Sequence, residues 1–466
     1  MVFSSISFIF YFLPLVLIAY FIIPKRFRNI VLLAGSILFY AFGEPVYVLL
    51  LVFSSVVDYI HGLVIEKHRG TKKAKAALIS SIIINVSLLA FFKYADFMIL
   101  NLNNWFDLGL NTLNLRLPIG ISFYTFQTMS YTIDVYRGKV SVQRNLFKLS
   151  TYVTLFPQLI AGPIVRYKDI EDQLDDTSIS YDNFTYGIRR FITGLGKKVL
   201  IANSIGQLSV LASATQTPTV LFYWIGAIAF TLQIYFDFSG YSDMAIGLGR
   251  MFNFKFLENF NYPLTAKSIT DFWRRWHISL GTWFREYVYY PLGGNRTGKL
   301  RWFGNILAVW FLTGFWHGAN WNFIIWGLFF AVILVAEKLF LGKLLKKAPS
   351  VIGHFYVLIT VVISFVIFKN ENLADIVVNL KGMFGGLGVP FSSTETLYYL
   401  KSNAILLIAA AIAATPLTGK LYRKLKDGRF AKPIATATPV ILAAMLILAT
   451  GYIVDSSFNP FLYFRF

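Results

Sequence analysis

The sequence predicts an all-α protein that crosses a membrane many times, and its composition carries that prediction. Of the 466 residues, 56% are hydrophobic, 18% are aromatic and only 14% are charged. A soluble domain is about half apolar and about a quarter charged, because its surface must stay hydrated. We therefore predict a polytopic fold of about 10–12 transmembrane helices, with re-entrant and interfacial helices beside them.

The charge balance and the missing cysteines narrow the function. Lys and Arg number 43 against 23 Asp and Glu, which gives a net charge of +20. In a membrane protein this excess indicates basic cytoplasmic loops, so we expect the lipid bilayer as a partner and no nucleic acid. The chain has no cysteine, which excludes disulfides, thiolate metal sites and an acyl-cysteine intermediate. We expect no metal site.

The first five apolar segments predict an orientation. The loops after them hold, in order, three, zero, five, one and four Lys and Arg residues. The basic loops alternate, which places them in the cytoplasm and the N-terminus outside. Positive charge follows the first apolar segment instead of preceding it, so we expect an uncleaved helix there. The segments lie near 3–23, 29–43, 46–65, 77–100 and 117–136.

Later apolar segments are longer or broken by glycine and proline. They lie near 150–164, 187–212, 219–250, 302–336, 350–368, 402–416 and 434–454. The acidic stretch 165–186 is typical of a solvated surface helix. We expect the intramembrane acids Asp237 and Asp243 to pair with arginine inside the bundle.

A single histidine marks the least charged part of the chain. Residues 302–336 contain no Asp, Glu, Lys or Arg, and His317 lies near their middle. One straight helix of this length would run roughly 50 Å, well beyond the bilayer core. We predict two crossings, or one helix broken near Gly314 and Gly318. Either arrangement puts His317 beside irregular backbone that protein or a water-filled cavity must surround.

A second polar cluster precedes that stretch. Ser268 stands three residues before Asp271, which resembles a capping box. Tryptophans and arginines follow, with His277 among them. The pattern suits an amphipathic helix at the interface, or one that folds back into a polar cavity; an aromatic-belt anchor is the alternative. From the residues alone, an intramembrane proton-transfer enzyme and a proton-coupled transporter both remain open.

Five spaced motifs occur along nearly the whole chain: Leu117–Gln127, Phe156–Ile164, Asp271–Leu280, Trp316–Trp321 and Ser457–Phe464. Together they resemble the membrane-bound O-acyltransferase family, in its alginate O-acetyltransferase branch. One departure from the branch is the run 367–370, Ile-Phe-Lys-Asn, where relatives often show Phe-Phe-Arg-Ala.

The resemblance implies a function and a site. Members transfer an acyl group from a thioester to a hydroxyl, using a histidine deep in a membrane-traversing tunnel. That histidine would be His317, and the second polar position would be His277. The implied organisation is one integral-membrane acyltransferase domain over residues 1–466, with its catalytic region at about 230–340, in the inner membrane of a bacterium. The implied donor is acetyl-CoA, with no bound cofactor, and the implied acceptor is an exported polysaccharide, reached through an extracellular or periplasmic partner acetyltransferase.

The chemistry of acyl transfer suggests roles for the other polar side chains, which we state as expectations. Attack by a hydroxyl on a thioester needs a general base, which we assign to His317. Asn320, the Trp316 indole and the His277 ring are candidate donors to the oxyanion. Direct transfer and a short-lived acyl-histidine both remain open. D-alanyl transfer from a carrier protein to teichoic acid is the alternative reaction. Candidate substrate-binding side chains are Trp316, Asn320, Asp271, Arg274 and Arg275, the arginines facing donor phosphates.

Overall fold

The computed structural model describes residues 1–160, 162–455 and 458–460, and the regular structure in these ranges is helical throughout. Short π-helical segments interrupt or extend several helices, at Ser7–Phe12, Lys197–Asn203, Arg285–Tyr289 and Glu337–Leu341. The α-helices are α1 Leu13–Ile22, α2 Arg28–Gly43, α3 Val48–Lys67, α4 Lys72–Phe106, α5 Ile121–Tyr136, α6 Leu146–Thr154, α7 Phe156–Leu159, α8 Tyr167–Asp175, α9 Tyr181–Gly196, α10 Ser204–Ala214, α11 Val220–Met251, α12 Ile269–Arg275, α13 Ile278–Phe284, α14 Lys299–His317, α15 Trp321–Ala336, α16 Gly342–Lys347, α17 Ser350–Lys369, α18 Leu373–Met383, α19 Thr394–Ser402, α20 Ala404–Ala413, α21 Leu417–Lys426 and α22 Ala431–Asp455.

Six helices of the described ranges are long and apolar enough to cross a membrane. The bent pair α19 and α20, with a 52° angle between them, would make a seventh. Other apolar stretches fold as shorter helices, among them Ser7–Ile22. This confirms an all-α polytopic protein. The expected ten to twelve crossings stay a prediction, because the additional ones would have to use these shorter helices. The six are α3, α4, α11, α15 with α16 (Trp321–Lys347), α17 and α22.

The chain divides into two compact units, the first comprising residues 1–191 and 241–258 and the second 192–240 and 259–466. Two of the three boundaries fall inside α9 and α11, and the third lies in the segment between α11 and α12. A single acyltransferase domain over the whole chain therefore stays a prediction. Of the resembling motifs, Ala161, Ser457 and residues 461–464 lie outside the described residues.

A polar network joins three helices of the first unit. The Asp58 carboxylate on α3 accepts hydrogen bonds from the Ser81 hydroxyl at 2.6 Å and the Asn85 amide at 2.8 Å, both on α4. Thr128 on α5 donates to the Asn85 amide oxygen at 3.1 Å. All these side chains are buried. Directional bonds between helices that otherwise pack through apolar side chains fix their rotation about their own axes.

The apolar core of the second unit surrounds the predicted catalytic region. It combines residues from the first part of α11, α12, α15 and α17. Its centre is aromatic: Trp276 stacks on Phe272, with ring centres 5.5 Å apart, and lies 5.3 Å from Phe365. Large rings held by several helices leave little freedom to the loops between them, and both predicted histidines lie in those loops or at their edges.

Candidate active site

A tight helical hairpin places His317. Helix α14 ends at His317 and α15 begins at Trp321, so the uncharged stretch 302–336 is broken where the sequence predicts. Gly318 and Asn320 connect the two helices in extended conformation. His317 is only 7% exposed.

Two glycines bring α14 and α15 together. A Cβ on Gly314 would run into the carbonyl oxygen of Phe323 and lie 3.2 Å from the Gly327 Cα. A Cβ on Gly327 would meet the carbonyl oxygen of Trp310 and lie 3.1 Å from the Gly314 Cα. Small residues at a crossing allow close backbone approach between membrane helices. This contact sets the distance between the end of α14 and the facing side of α15.

Aromatic rings line the surroundings of His317. Its ring centre lies 5.0 Å from those of Trp316 and Trp326 and 5.4 Å from that of Phe368, all in edge-to-face arrangement. The Trp316 ring also lies 6.1 Å from that of His277. One indole thus lies beside both histidines, so the fold brings the two positions close together, and their catalytic roles stay predictions. Both imidazoles are largely removed from water.

Asn259 holds His277 in a defined tautomer. The Asn259 Oδ1 atom accepts hydrogen bonds from the Ser279 backbone N–H at 3.1 Å and the Ser279 hydroxyl at 2.9 Å. The His277 Nδ1 atom lies 3.2 Å from the same oxygen. Since an amide oxygen only accepts, Nδ1 carries the proton and Nε2 is the acceptor atom of the ring. His277 lies outside the six helices that are long and apolar enough to cross a membrane. Burial lowers its pKa to about 3.

His277 also has unusual backbone geometry. Its φ of 45° lies in the left-handed region, which costs of order 1–3 kcal/mol for a residue other than glycine. The backbone N–H of Ile278 donates to the Asn259 carbonyl at 3.0 Å, so Asn259 fixes this bend through its main chain as well. Such strain persists only where the surroundings determine the conformation. The bend turns the chain between α12 and α13 and sets where the imidazole lies.

Two side chains cap the helix that leads to His277. The Ser268 hydroxyl accepts from the Asp271 N–H at 3.0 Å, as the sequence predicts. The buried carboxylate of Glu337 accepts from the N–H groups of Ile269 at 2.6 Å and Thr270 at 2.8 Å, and from the Thr270 hydroxyl at 2.6 Å. The first three N–H groups of α12 are thereby satisfied. Glu337 also ties α12 to the end of α15.

The charged candidates on α12 differ in their surroundings. Arg275 forms an ion pair with Asp271, Nε to Oδ1, at 3.0 Å one helical turn away. Arg274 is exposed. Asn320 precedes α15, and its side chain accepts no capping hydrogen bond. The substrate roles of these residues stay predictions.

The intramembrane acids pair with cations within their own units. In the first unit, Asp243 accepts from Arg190 at 2.6 Å, which confirms the expected pairing with arginine. In the second unit, Asp237 forms an ion pair at 2.6 Å with Lys198, a lysine where an arginine was expected. The Lys198 ammonium also donates to the Pro460 carbonyl and so holds the chain near its end. These contacts make both acids structural.

Four residues of the site carry no clear signal in the sequence. Asn259 and Glu337 become important only through tertiary contacts with α12 and His277. Trp326 and Asn322 lie on α15. The chain has many aromatic residues, and nothing in the sequence distinguishes an indole near His317 from one that faces lipid. Asn322 could have been noticed as a polar side chain inside an otherwise apolar segment.

Comparison with known proteins identifies the family. The model of MBOAT, the membrane-bound O-acyltransferase family, matches residues 110–374. The chain is 39% identical to the probable alginate O-acetylase AlgI of Azotobacter vinelandii, with 100% of both proteins covered. It is 37% identical to the peptidoglycan O-acetyltransferase of Helicobacter pylori, over 84% of this chain and 81% of that protein. It is 32% identical to the teichoic acid D-alanyltransferase of Bacillus subtilis, over 54% of this chain and 67% of that protein.

Sequence and structure agree with these matches. The matched region contains His277, His317 and the hairpin of α14 and α15, and it covers more than half of the chain. The helices are those of a multi-pass membrane protein. The chain is an O-acyltransferase, and it belongs to the membrane-bound O-acyltransferase family.

Proposed function

We propose that this chain moves an acetyl group from acetyl-CoA on the cytoplasmic side toward hydroxyl groups of an exported polysaccharide. The observation that carries the proposal is the buried His317 at a helix break, inside the region that matches the family. Relatives named for O-acetyl transfer to alginate and to peptidoglycan cover 84–100% of the chain, which supports acetyl as the group and a polysaccharide as the acceptor.

His317 is the general base in this proposal. An imidazole takes up and releases a proton near neutral pH, and a positioned base contributes about 10²–10⁴-fold to the rate. The aromatic rings around His317 exclude water, which would otherwise hydrolyse the thioester. His277, with its acceptor atom Nε2, is the second polar group and orients the attacking hydroxyl.

Arg274 is the preferred contact for the phosphates of the donor. It is exposed at the end of α12, whereas the guanidinium of Arg275 is engaged by Asp271. A free guanidinium presents its donors to phosphate oxygens in bidentate geometry. Placing this end of α12 on the cytoplasmic side agrees with the basic loops of that face.

Location follows from the direction of transfer. The donor is made in the cytoplasm and the polymer is outside, so the enzyme would lie in the inner membrane of a bacterium. An extracellular or periplasmic acetyltransferase would then pass the group to the polymer. D-alanyl transfer to teichoic acid has weaker support, because the D-alanyltransferase relative covers only 54% of the chain.

The test uses the full-length protein in sealed vesicles. Acetyl-CoA labelled in its acetyl group is added outside, and released CoA thiol is measured with and without enclosed polysaccharide and partner enzyme. The proposal predicts thiol release and labelled polymer. Turnover of a D-alanyl carrier protein with no turnover of acetyl-CoA would overturn it.

A further inference from the structure

The face of α15 that lies near His317 carries two buried polar atoms with opposite hydrogen-bonding character. Neither Nε1 of Trp326 nor Oδ1 of Asn322 has a hydrogen-bond partner among the described residues. Trp326 is 2% exposed and Asn322 is 0% exposed. The two are four residues apart on one helix, so they share a face. An unsatisfied buried polar atom costs about 1–3 kcal/mol, which is a reason to look for a ligand.

Both residues are held rigidly. The Asn322 amide nitrogen donates to the carbonyl of Phe368 at 2.9 Å and to that of Ile367 at 3.4 Å. These two hydrogen bonds direct the amide nitrogen of Asn322 toward α17, so its Oδ1 atom is directed away from those two carbonyls. The Trp326 ring is enclosed by Phe330 at 5.3 Å and Phe368 at 5.2 Å between ring centres. A preorganised donor loses little entropy when substrate arrives.

The Trp326 indole lies close to His317, the proposed base. The ring centres of Trp326 and His317 are 5.0 Å apart, and the ring planes meet at 86°. A carbonyl group attacked by a hydroxyl that His317 deprotonates must lie beside the imidazole. Trp326 is therefore within reach of the carbonyl oxygen of the same thioester.

The reaction creates a charge that such a donor stabilises. As the acceptor hydroxyl oxygen forms its bond to the thioester carbon, its proton passes to His317 and the carbonyl π pair moves onto oxygen. When the tetrahedral intermediate collapses, this pair re-forms the C=O bond and the C–S bond breaks. The sulfur leaves with the bonding pair and takes the proton from His317 to become a thiol. Between the two steps the oxygen carries a full negative charge beside buried aromatic rings, where an aimed hydrogen-bond donor is worth more than in water.

We infer that the Trp326 indole N–H is a catalytic hydrogen-bond donor to this oxyanion, with Asn322 accepting from an N–H or O–H group of the same substrate. The inference rests on the proposed function. It differs from the expectation that Asn320, the Trp316 indole or the His277 ring fills this role; the Nδ1–H of His277 is directed to Asn259, and its Nε2 is an acceptor. Trp316 packs between the two histidines, and Asn320 occupies the turn that opens α15.

Trp326→Phe keeps an aromatic ring and removes the N–H. We expect kcat with acetyl-CoA to fall by about 10²–10³-fold, the usual loss for one oxyanion donor, with KM changed by less than about threefold. Trp310→Phe is the matched control, because Trp310 belongs to the same aromatic cluster, 6.5 Å from Trp326 between ring centres. The control should keep kcat within about threefold of the wild type.

A second replacement separates catalysis from packing. Incorporating an analogue of tryptophan with sulfur in place of the indole N–H retains the shape of the bicycle at position 326. It should reproduce the loss in kcat while leaving the unfolding temperature unchanged. Wild-type kcat in the analogue, or in a folded Trp326→Phe protein, would overturn the inference while the proposed function stands. A wild-type enzyme that leaves acetyl-CoA intact would contradict the proposed function, and the inference with it.

Discussion

The Nδ1 atom of His277 lies 3.2 Å from the amide oxygen of Asn259, which also accepts two hydrogen bonds from Ser279. One buried carboxamide therefore determines both the tautomer of the imidazole and the start of the helix that follows. A neutral histidine with a defined acceptor atom can orient a hydroxyl without competing with His317 for the proton.

Replacing Asn259 should disturb stability and activity together. Asn259→Ala leaves the donors of His277 and Ser279 without their acceptor, at a cost of about 1–3 kcal/mol for each donor that stays buried and unsatisfied. We expect a lower unfolding temperature in detergent and a lower kcat. Asn261→Ala, at an exposed position two residues on, is the control and should leave both unchanged. An Asn259→Ala protein as stable and active as wild type would contradict the assigned role.

Acid should destabilise the protein partly through His277. Burial lowers the pKa of this histidine to about 3, from an ordinary value of 6.5. Between pH 6.5 and pH 3 the imidazole binds a proton in the unfolded chain but not in the folded chain. The stability that neutral His277 contributes is therefore fully present above pH 6.5 and is lost as the pH falls toward 3. His277→Gln should lose less in unfolding temperature than wild type between about pH 7.5 and about pH 5.5. Equal losses would show that His277 is accessible to protons in the folded state.

Glu337 should prove essential for the geometry of α12. Glu337→Ala removes the acceptor for two helix N–H groups and the Thr270 hydroxyl, and a lost cap costs about 0.5–2 kcal/mol. We expect a lower unfolding temperature and reduced turnover, because α12 leads directly to His277. Lys338→Ala changes the exposed neighbour and serves as the control. If Glu337→Ala kept full stability, the cap would be dispensable.

The close contact between Gly314 and Gly327 predicts that alanine substitutions at two glycines change the stability of the protein differently. Gly327→Ala forces α15 away from the Trp310 carbonyl, so we expect destabilisation by more than about 1 kcal/mol and loss of activity as His317 shifts. Gly304→Ala, within α14, meets nothing within 4 Å and should be neutral or stabilising by about 0.4–1 kcal/mol. Thermal unfolding of both variants checks this. Equal effects at the two positions would argue against a close helix crossing.

Local patterns in the sequence predicted a good part of this structure. The apolar runs near 29–43 and 46–65 correspond to α2 and α3, and the break after His317 follows from the length of an uncharged segment that no bilayer accommodates straight. The Ser268 cap was also visible, because it acts within one helical turn.

Contacts between distant residues could not be predicted in this way. Glu337 caps a helix whose first residue lies 68 positions earlier, and nothing in the local sequence of either segment indicates the other. Lys198 replaces the expected arginine as partner of Asp237 for the same reason. Apart from Asn322, the residues of α15 around Trp326 are apolar, so only packing shows which indole lies against the histidine.

The most direct test of the account is single-turnover release of CoA thiol from acetyl-CoA by wild-type protein and by His317→Ala, both in vesicles and matched for folded protein. His68→Ala, at the end of α3, is the control. We expect His317→Ala to lose about 10²–10⁴-fold in rate, the contribution of a general base, and His68→Ala to match wild type. Thiol release by His317→Ala at the wild-type rate would contradict the assignment of His317 as the catalytic base.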